Sequence, residues 1–250
     1  KMNNAQFSIL QSLKFVKYRK RYNKFLIEGK RLIQSALQSN FDIGPLYCSD
    51  IFKNENSEWI KTNLSNKKEL IIIKNKKLLT ISNTKSPSGI LSSCPIPEEK
   101  SLHLKQKKWI YLDKISDPGN MGTLMRSAAW FGFSNIALSP YCVDPYNPKT
   151  VRSAMGAHFN ISIHTNINLN VFADSHYIIA GNSKGKNVSS FSFPKKCVLV
   201  LGNEAHGISK KNKIFIKDNI SINKLGIGDS LNVSSAGAIF LYLLANNINK

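Results

Sequence analysis

The chain has 250 residues, room for one large domain or two modest ones with a substantial core, and its 42% hydrophobic content excludes a chain disordered as a whole. Lys and Arg number 35 against 15 Asp and Glu, a formal net charge of +20 that predicts attraction to polyanions, nucleic acid before anionic membrane; part of the excess reflects a background rich in Lys, Asn and Ile. The four cysteines (Cys48, Cys94, Cys142, Cys197) form no C-x-x-C pair and have no histidine at zinc spacing, and there is no signal-peptide pattern or apolar run of membrane-span length, so free thiols, no metal and a cytoplasmic location are expected.

Residues 14–31 hold eight basic residues, Lys14, Lys17, Arg19, Lys20, Arg21, Lys24, Lys30 and Arg31, against the single Glu28. Phe15, Tyr18, Tyr22 and Phe25 are interleaved at the spacing of a helical stripe, which predicts aromatics turned to the core. The charges suit phosphate contacts, so Lys17, Arg19, Lys20, Arg21, Lys24, Lys30 and Arg31 are candidate RNA-binding residues. Leu32, Ile33, Ala36 and Leu37 give 30–39 helical spacing, Gly44-Pro45 precedes a short strand at 46–48, and an amphipathic segment covers 55–64. A strand at 70–73, a helical turn at 76–81, a loop at 84–89 and a strand at 90–92 complete a small α/β unit. Pro95, Pro97, Glu98, Glu99 and several lysines give 94–107 the composition of a linker, which predicts domains at 1–93 and 108–250.

The second half opens with a strand at 109–112. Pro118-Gly119 then marks a turn, and Asn120 is the expected N-cap of a helix whose Met121, Leu124, Met125, Ala128 and Ala129 face the core. Arg126 falls off that stripe, either as an ordinary solvated arginine or as a functional one. Further strands are expected at 136–138, 159–163, 177–180, 197–201 and 220–222, with a helix at 149–155, so the pattern is β-α repeated. The strand 197–201 runs into Gly202-Asn203-Glu204-Ala205-His206-Gly207, where a glycine lets a ligand approach backbone at the carboxyl end of a parallel sheet. Glu204 is there a functional acid or a loop acid, and His206 a solvent-facing loop residue. His103, His158, His164 and His176 are isolated and read as core or surface residues.

Between 228 and 244 a polar cluster (Asp229, Ser230, Asn232, Ser234, Ser235) runs straight into an uncharged apolar segment. One helix cap uses one or two such residues, and the surplus leaves polar groups for a ligand. No G-x-G-x-x-G follows a strand, and no Walker A lysine, G-x-S-x-G elbow or H-E-x-x-H occurs, which removes support from the common nucleotide-binding and hydrolase chemistries.

Taken together, the segments Asp117 to Ala129, Leu199 to Ser209 and Gly228 to Ala236 resemble, in order and spacing, the three motifs of the SpoU branch of the SPOUT RNA methyltransferases. The resemblance covers roughly 108–250. The N-terminal half is similar, through 24–32 and 86–90, to the small α/β ribosomal-protein-like RNA-binding domain often fused in front. The implied fold is an α/β C-terminal domain with a parallel sheet and a deep trefoil knot, an exception to the rule that chains avoid knots.

The implied activity is transfer of a methyl group from S-adenosylmethionine to a ribose 2′-hydroxyl of RNA, by a homodimer acting through its C-terminal domain. Large-subunit ribosomal RNA is favoured over tRNA, because a second basic domain suits a folded target. By the same resemblance, Asn120, Arg126, Glu204, Asn232 and Ser234 match the catalytic positions, and Gly202, Asn203, Ile222 and Leu231 would lie against the cofactor. Two departures stand out: Ala205 where the family usually has Gly, and Asn223-Lys224 where it commonly has Pro-Met. The first predicts strain if residue 205 takes positive φ. A non-catalytic RNA binder of the same fold and a base methylase are the competing readings.

Overall fold

The computed structural model describes residues 2–39, 41–64, 69–84 and 86–246; Lys85, in an expected loop, and 247–250, at the end of the expected C-terminal domain, lie outside the described residues. In chain order the elements are α1 (Asn4–Ser12), α2 (Val16–Tyr22), β1 (Lys24–Glu28), α3 (Lys30–Gln38), β2 (Leu46–Cys48), α4 (Asp50–Glu55), α5 (Ser57–Leu64), β3 (Leu70–Ile72), α6 (Asn75–Ile81), β4 (Ile90–Pro95), β5 (Lys108–Asp113), α7 (Pro118–Trp130), β6 (Asn135–Leu138), α8 (Pro148–Ala154), β7 (Ser162–His164), β8 (Tyr177–Asn187), β9 (Cys197–Gly202), α9 (Lys210–Lys213), β10 (Asp218–Ser221) and α10 (Val233–Asn246). They form two compact units, Lys1–Glu98 with Tyr146–Phe159, and Glu99–Pro145 with Asn160–Lys250.

In the first unit a mixed sheet of order β1-β4-β2-β3 has β4 antiparallel to both neighbours and β2 parallel to β3. Period-two alternation divides its side chains between two cores. Phe25, Ile27, Leu46, Cys48 and Ile90 meet Leu32, Ile33 and Ala36 of α3 on one face. Leu26, Tyr47 and Leu91 meet Leu10, Leu13, Leu78 and Ile81 on the other. The segment around α8 adds Tyr146, Val151 and Phe159 to the first of these cores, an excursion with no signal in the sequence. β4 runs on to Pro95, opposite Lys24, which makes the buried Cys94 a core residue where linker composition was read.

The aromatic stripe expected through residue 25 does not form. Asn23 takes a left-handed φ of 48° and ends α2, a conformation asparagine tolerates better than most residues. Phe25 therefore sits on β1, while Phe15 is 55% exposed.

The second unit is built on six parallel strands in the order β10-β8-β9-β5-β6-β7. Its central strands are covered on both faces, which explains their unbroken apolar runs: Trp109, Ile110, Tyr111 and Leu112 in β5, and Val198 to Leu201 in β9, are all buried. α7 turns Met121, Leu124, Met125 and Ala128 inward as expected. α10 buries Gly237, Phe240, Leu241 and Leu244, but Tyr242 stays half exposed, so this all-round apolar helix is covered on one side only. Gly237 permits its close approach to α7, since a Cβ there would stand 2.3 Å from Leu124 Cδ2.

All four cysteines are free, and burial pushes the thiols of Cys48 and Cys197 up to about 11, which keeps them protonated and unreactive. No helix among the described residues is long and apolar enough to cross a membrane.

Two buried histidines make this unit sensitive to acid. His164 packs on Trp109 with both ring nitrogens lacking a hydrogen bond among the described residues, and His176 lies between Ser175 Oγ and the Gln106 carbonyl, each at 2.8 Å. Burial lowers both below the ordinary 6.5. Below pH 6.5 the unfolded chain takes up protons that the folded chain resists, so stability falls as pH drops through that value towards the depressed folded ones. Urea midpoints measured from pH 7.5 to 5.5 will decline, and His164→Leu will flatten the decline.

Candidate active site

Three loops converge at the carboxyl edge of the second unit's sheet: 113–117 after β5, 202–209 after β9, and 222–232 between β10 and α10. β5 and β9 are adjacent and parallel, with Asp113 opposite Gly202, and the chain leaves them towards opposite sides of the sheet. That is the crevice where ligands of open α/β sheets bind.

Asp117, not Asn120, caps α7. Its Oδ1 accepts the Asn120 N–H at 2.8 Å, and Pro118 takes the first helical position, where a missing N–H costs nothing. The Asn120 side chain is thereby released. Its Nδ2 donates to Glu204 Oε1 at 2.9 Å, while its Oδ1 accepts from Asn232 Nδ2 at 3.0 Å. Asn232 caps α10 through its Oδ1, which accepts the Ser234 N–H at 2.8 Å and the Ser234 hydroxyl at 2.6 Å. The donors therefore run in one direction, Ser234 to Asn232 to Asn120, and end on the Glu204 carboxylate, an arrangement in which each bond polarises the next. Glu204 Oε2 also accepts from Ser116 Oγ and Asn203 Nδ2, both at 3.3 Å.

Buried anchors hold this network in place. Asn203 Nδ2 donates to the Lys114 carbonyl at 2.8 Å, and its Oδ1 accepts the N–H groups of Ala205 and His206. Asp113 is fully buried; its Oδ2 accepts both the N–H and the hydroxyl of Ser209 at 2.8 Å, and its Oδ1 has no hydrogen bond among the described residues. The Lys114 N–H donates to Ser139 Oγ at 2.8 Å. Positive φ in the turn falls to Gly207, at 63°, and not to Ala205, so the departure at residue 205 carries no backbone strain.

Four of the five expected catalytic side chains, Asn120, Glu204, Asn232 and Ser234, thus share one network with Asn203. Arg126 stands apart, exposed on α7, with no hydrogen bond or ion pair among the described residues. Gly202 is buried where a Cβ would come within 2.4 Å of the Gly207 carbonyl carbon, Ile222 is half-buried and Leu231 half exposed. The backbone of 223–231 enters no hydrogen bond among the described residues, and Leu225 and Ile227 are fully open to solvent. Asp113, Lys114, Ser116 and Ser139 carry no sequence signal of a place at this site; only Asp117 before Pro118, the signature of a helix start, marks the region.

In the first unit, Lys17, Lys20, Arg21, Lys24 and Arg31 are exposed. Lys17 and Arg21 lie over the rings of Tyr18 and Tyr22, which stack on each other at 6.2 Å. Arg19 does not join them. It is 2% exposed, and its guanidinium donates to the carbonyls of Leu13 and Lys14, closing the chain end of the preceding helix. Lys30 is half-buried, bonded to Asn56 Oδ1 at 3.0 Å and packed on Trp59. No cluster of three or more His, Cys, Asp or Glu side chains suited to a metal occurs among the described residues.

Residues 107–242 match the family model described as the SpoU rRNA Methylase family, and residues 4–92 match the MRM3-like substrate binding domain. The chain is 29% identical over 234 residues to the Bacillus subtilis 23S rRNA (guanosine(2553)-2′-O)-methyltransferase RlmP, covering 91% of both chains. It is 32% identical over 170 residues to the mouse mitochondrial rRNA methyltransferase 3, a match spanning 64% of this chain but only 39% of that protein. Among solved structures, a TrmH-family protein from Porphyromonas gingivalis superposes with a TM-score of 0.83 at 26% identity, covering 97% of this chain and 98% of that one. The SpoU methyltransferase AviRb of Streptomyces viridochromogenes, solved with AdoMet, shares the fold at a TM-score of 0.86 and 23% identity over 99% of each chain.

The packing of Gly202 against Gly207 and Ile208 leaves no space for a side chain. Gly202→Ala will push the 202–207 turn off its anchors and lower the unfolding free energy by about 1–3 kcal/mol, read as a lower urea midpoint at unchanged slope.

Proposed function

Because the chain belongs to the SpoU rRNA methylase family, we propose that it transfers a methyl group from S-adenosylmethionine to a ribose 2′-hydroxyl of RNA, with large-subunit ribosomal RNA as the substrate. The observation that carries this reading is the hydrogen-bonded set Asn120, Glu204, Asn232 and Ser234 at the carboxyl edge of the sheet. The Bacillus subtilis relative, covered over 91% of its length, supports ribosomal RNA and the 2′-oxygen.

The residues present fit the cofactor. The loop 223–231 offers backbone N–H and C=O groups without partners among the described residues, next to the exposed apolar side chains of Leu225, Ile227 and Leu231. That pairing of hydrogen-bonding edge and apolar surface suits an adenosyl group. Gly202, Asn203, Ile222 and Leu231 would hold it, and when bound it supplies a methyl group on an electrophilic sulfonium.

The chain's own work is positioning and charge control. A ribose hydroxyl is a poor nucleophile until its proton is leaving, and fixing it in line with its target is a large part of the barrier. Ser234 and Asn232 face the ribose, and Asn120 ties them to Glu204, which keeps the amides from rotating. A guanidinium is by nature a poor proton acceptor, so Arg126, exposed and outside that hydrogen-bonded set, is assigned charge stabilisation in preference to proton abstraction. Its guanidinium stabilises the developing oxyanion and binds the adjacent phosphate.

The same reading includes the trefoil knot, supported by membership of the family alone, and a homodimer through the C-terminal unit, supported by Trp130 at 83% exposure and by the uncovered side of α10. It includes the boundary expected at 94–107, supported by family matches that end at 92 and begin at 107, with its start moved past Pro95 because β4 runs that far. RNA contact by Lys17, Lys20, Arg21, Lys24 and Arg31 of the first unit, and a cytoplasmic location consistent with free thiols, complete it.

Methylated RNA digested to nucleosides will yield a 2′-O-methyl nucleoside. A methylated base would transfer the activity to another class, and no titratable binding of S-adenosylmethionine would leave an RNA binder. Arg126→Lys will reduce methyl transfer by about 10²–10³-fold with cofactor affinity unchanged; near-parental rates would remove the guanidinium from the mechanism.

A further inference from the structure

At the same sheet edge, Tyr141 is 84% exposed and its backbone takes a left-handed φ of 70°. It is the third residue of the turn Ser139 to Cys142, closed by the Cys142 N–H on the Ser139 carbonyl at 3.4 Å. With Pro140 before it and positive φ, this is the position of a type II turn that glycine prefers. A tyrosine there is strained where glycine would be at ease, so the turn itself does not call for this residue, and its ring contributes little to the core.

The ring has a defined neighbour. Lys114, also left-handed at φ 56°, sets its ammonium 5.7 Å from the ring centroid. The Lys114 backbone is meanwhile part of the site: its N–H is bonded to Ser139 Oγ and its carbonyl holds Asn203, next to Glu204. Two strained non-glycine residues, neither of them a helix cap, thus fix an open aromatic ring and a cation beside the reaction centre, and strain kept at such a place points to function.

We propose that Tyr141, with Lys114 over its ring, is a stacking platform for an unpaired nucleobase of the RNA substrate. The proposal rests on the RNA-methyltransferase reading above. Aromatic faces accept any base, and a neighbouring ammonium meets the backbone phosphate, so the pair positions the strand without selecting its sequence. A flat ring held by a turn is also rigid, which limits the entropy lost on binding.

The test uses the full chain and a single-stranded oligouridine carrying 5-iodouridine, which cross-links on irradiation to an aromatic ring stacked on it. Tyr141 will carry the cross-link. Tyr141→Gly, which relieves the strained φ, will leave the melting temperature no lower but weaken oligonucleotide binding by about 5- to 140-fold, the equivalent of about 1–3 kcal/mol per stacked base. Tyr141→Phe, which keeps the ring, will bind like the parent. Parental affinity in Tyr141→Gly, or cross-links that all fall elsewhere, would overturn the proposal. So would sedimentation showing that the glycine variant splits a dimer with RNA affinity per protomer unchanged, since the ring would then be a protein contact. Titration of the parent with S-adenosylmethionine separates the two readings: failure there removes the methyl-transfer function and leaves the cross-link result standing.

Discussion

The parallel pairing of β5 with β9, in register from Lys108 and Cys197 to Asp113 and Gly202, is the constraint on which the rest of the site depends. Parallel strands end on the same edge, so the loops that follow them emerge side by side although 89 residues separate Asp113 from Gly202 along the chain. Everything at the site uses that adjacency: Asp113 reaches Ser209, Lys114 reaches Asn203, and Ser116 reaches Glu204. A one-residue slip would turn the inward side chains of the strand outward and separate all three.

The network has a buried base and an exposed tip. Asp113 is fully desolvated and its ligands are short, whereas Glu204, Asn232 and their partners meet water. Burial strengthens the first set, since an unpaired carboxylate in the interior is costly. Exposure leaves the second weak enough to be displaced or tightened by a ligand. The anchors therefore fix the backbone of the turns, and the candidate side chains Asn120, Glu204, Asn232 and Ser234 are held by one to three hydrogen bonds each at a solvent-facing edge.

Much of the architecture was legible because it follows from local pattern. The apolar runs at 109–112 and 197–201 read as buried strands and the stripe from Met121 to Ala128 as a core face. Failures occurred where a single residue overrode the pattern. The aromatic period through 15, 18, 22 and 25 continues in the sequence, but Asn23 turns the backbone left-handed and puts Phe25 on a strand. Arg19 reads as one more surface charge, yet three dimensions supply two carbonyls that bury it. The cap of α7 passed from Asn120 to Asp117 because of the proline between them.

What the sequence determined by itself was the class of the protein: three polar segments of recognisable order, each after a strand, are local features that survive any rearrangement of the remainder. The tertiary structure decided which of those polar residues work together. Asn120, Glu204 and Asn232 are far apart in the chain, and nothing in their spacing tells that the amide of one faces the carboxylate of another. It also decided that Ala205 is unstrained, that residues around α8 complete the core of the first unit, and that the apolar α10 leaves one side uncovered. Periodicity reports which side of an element is apolar; which partner, if any, covers that side depends on contacts between distant segments, and these exist only once the chain is folded.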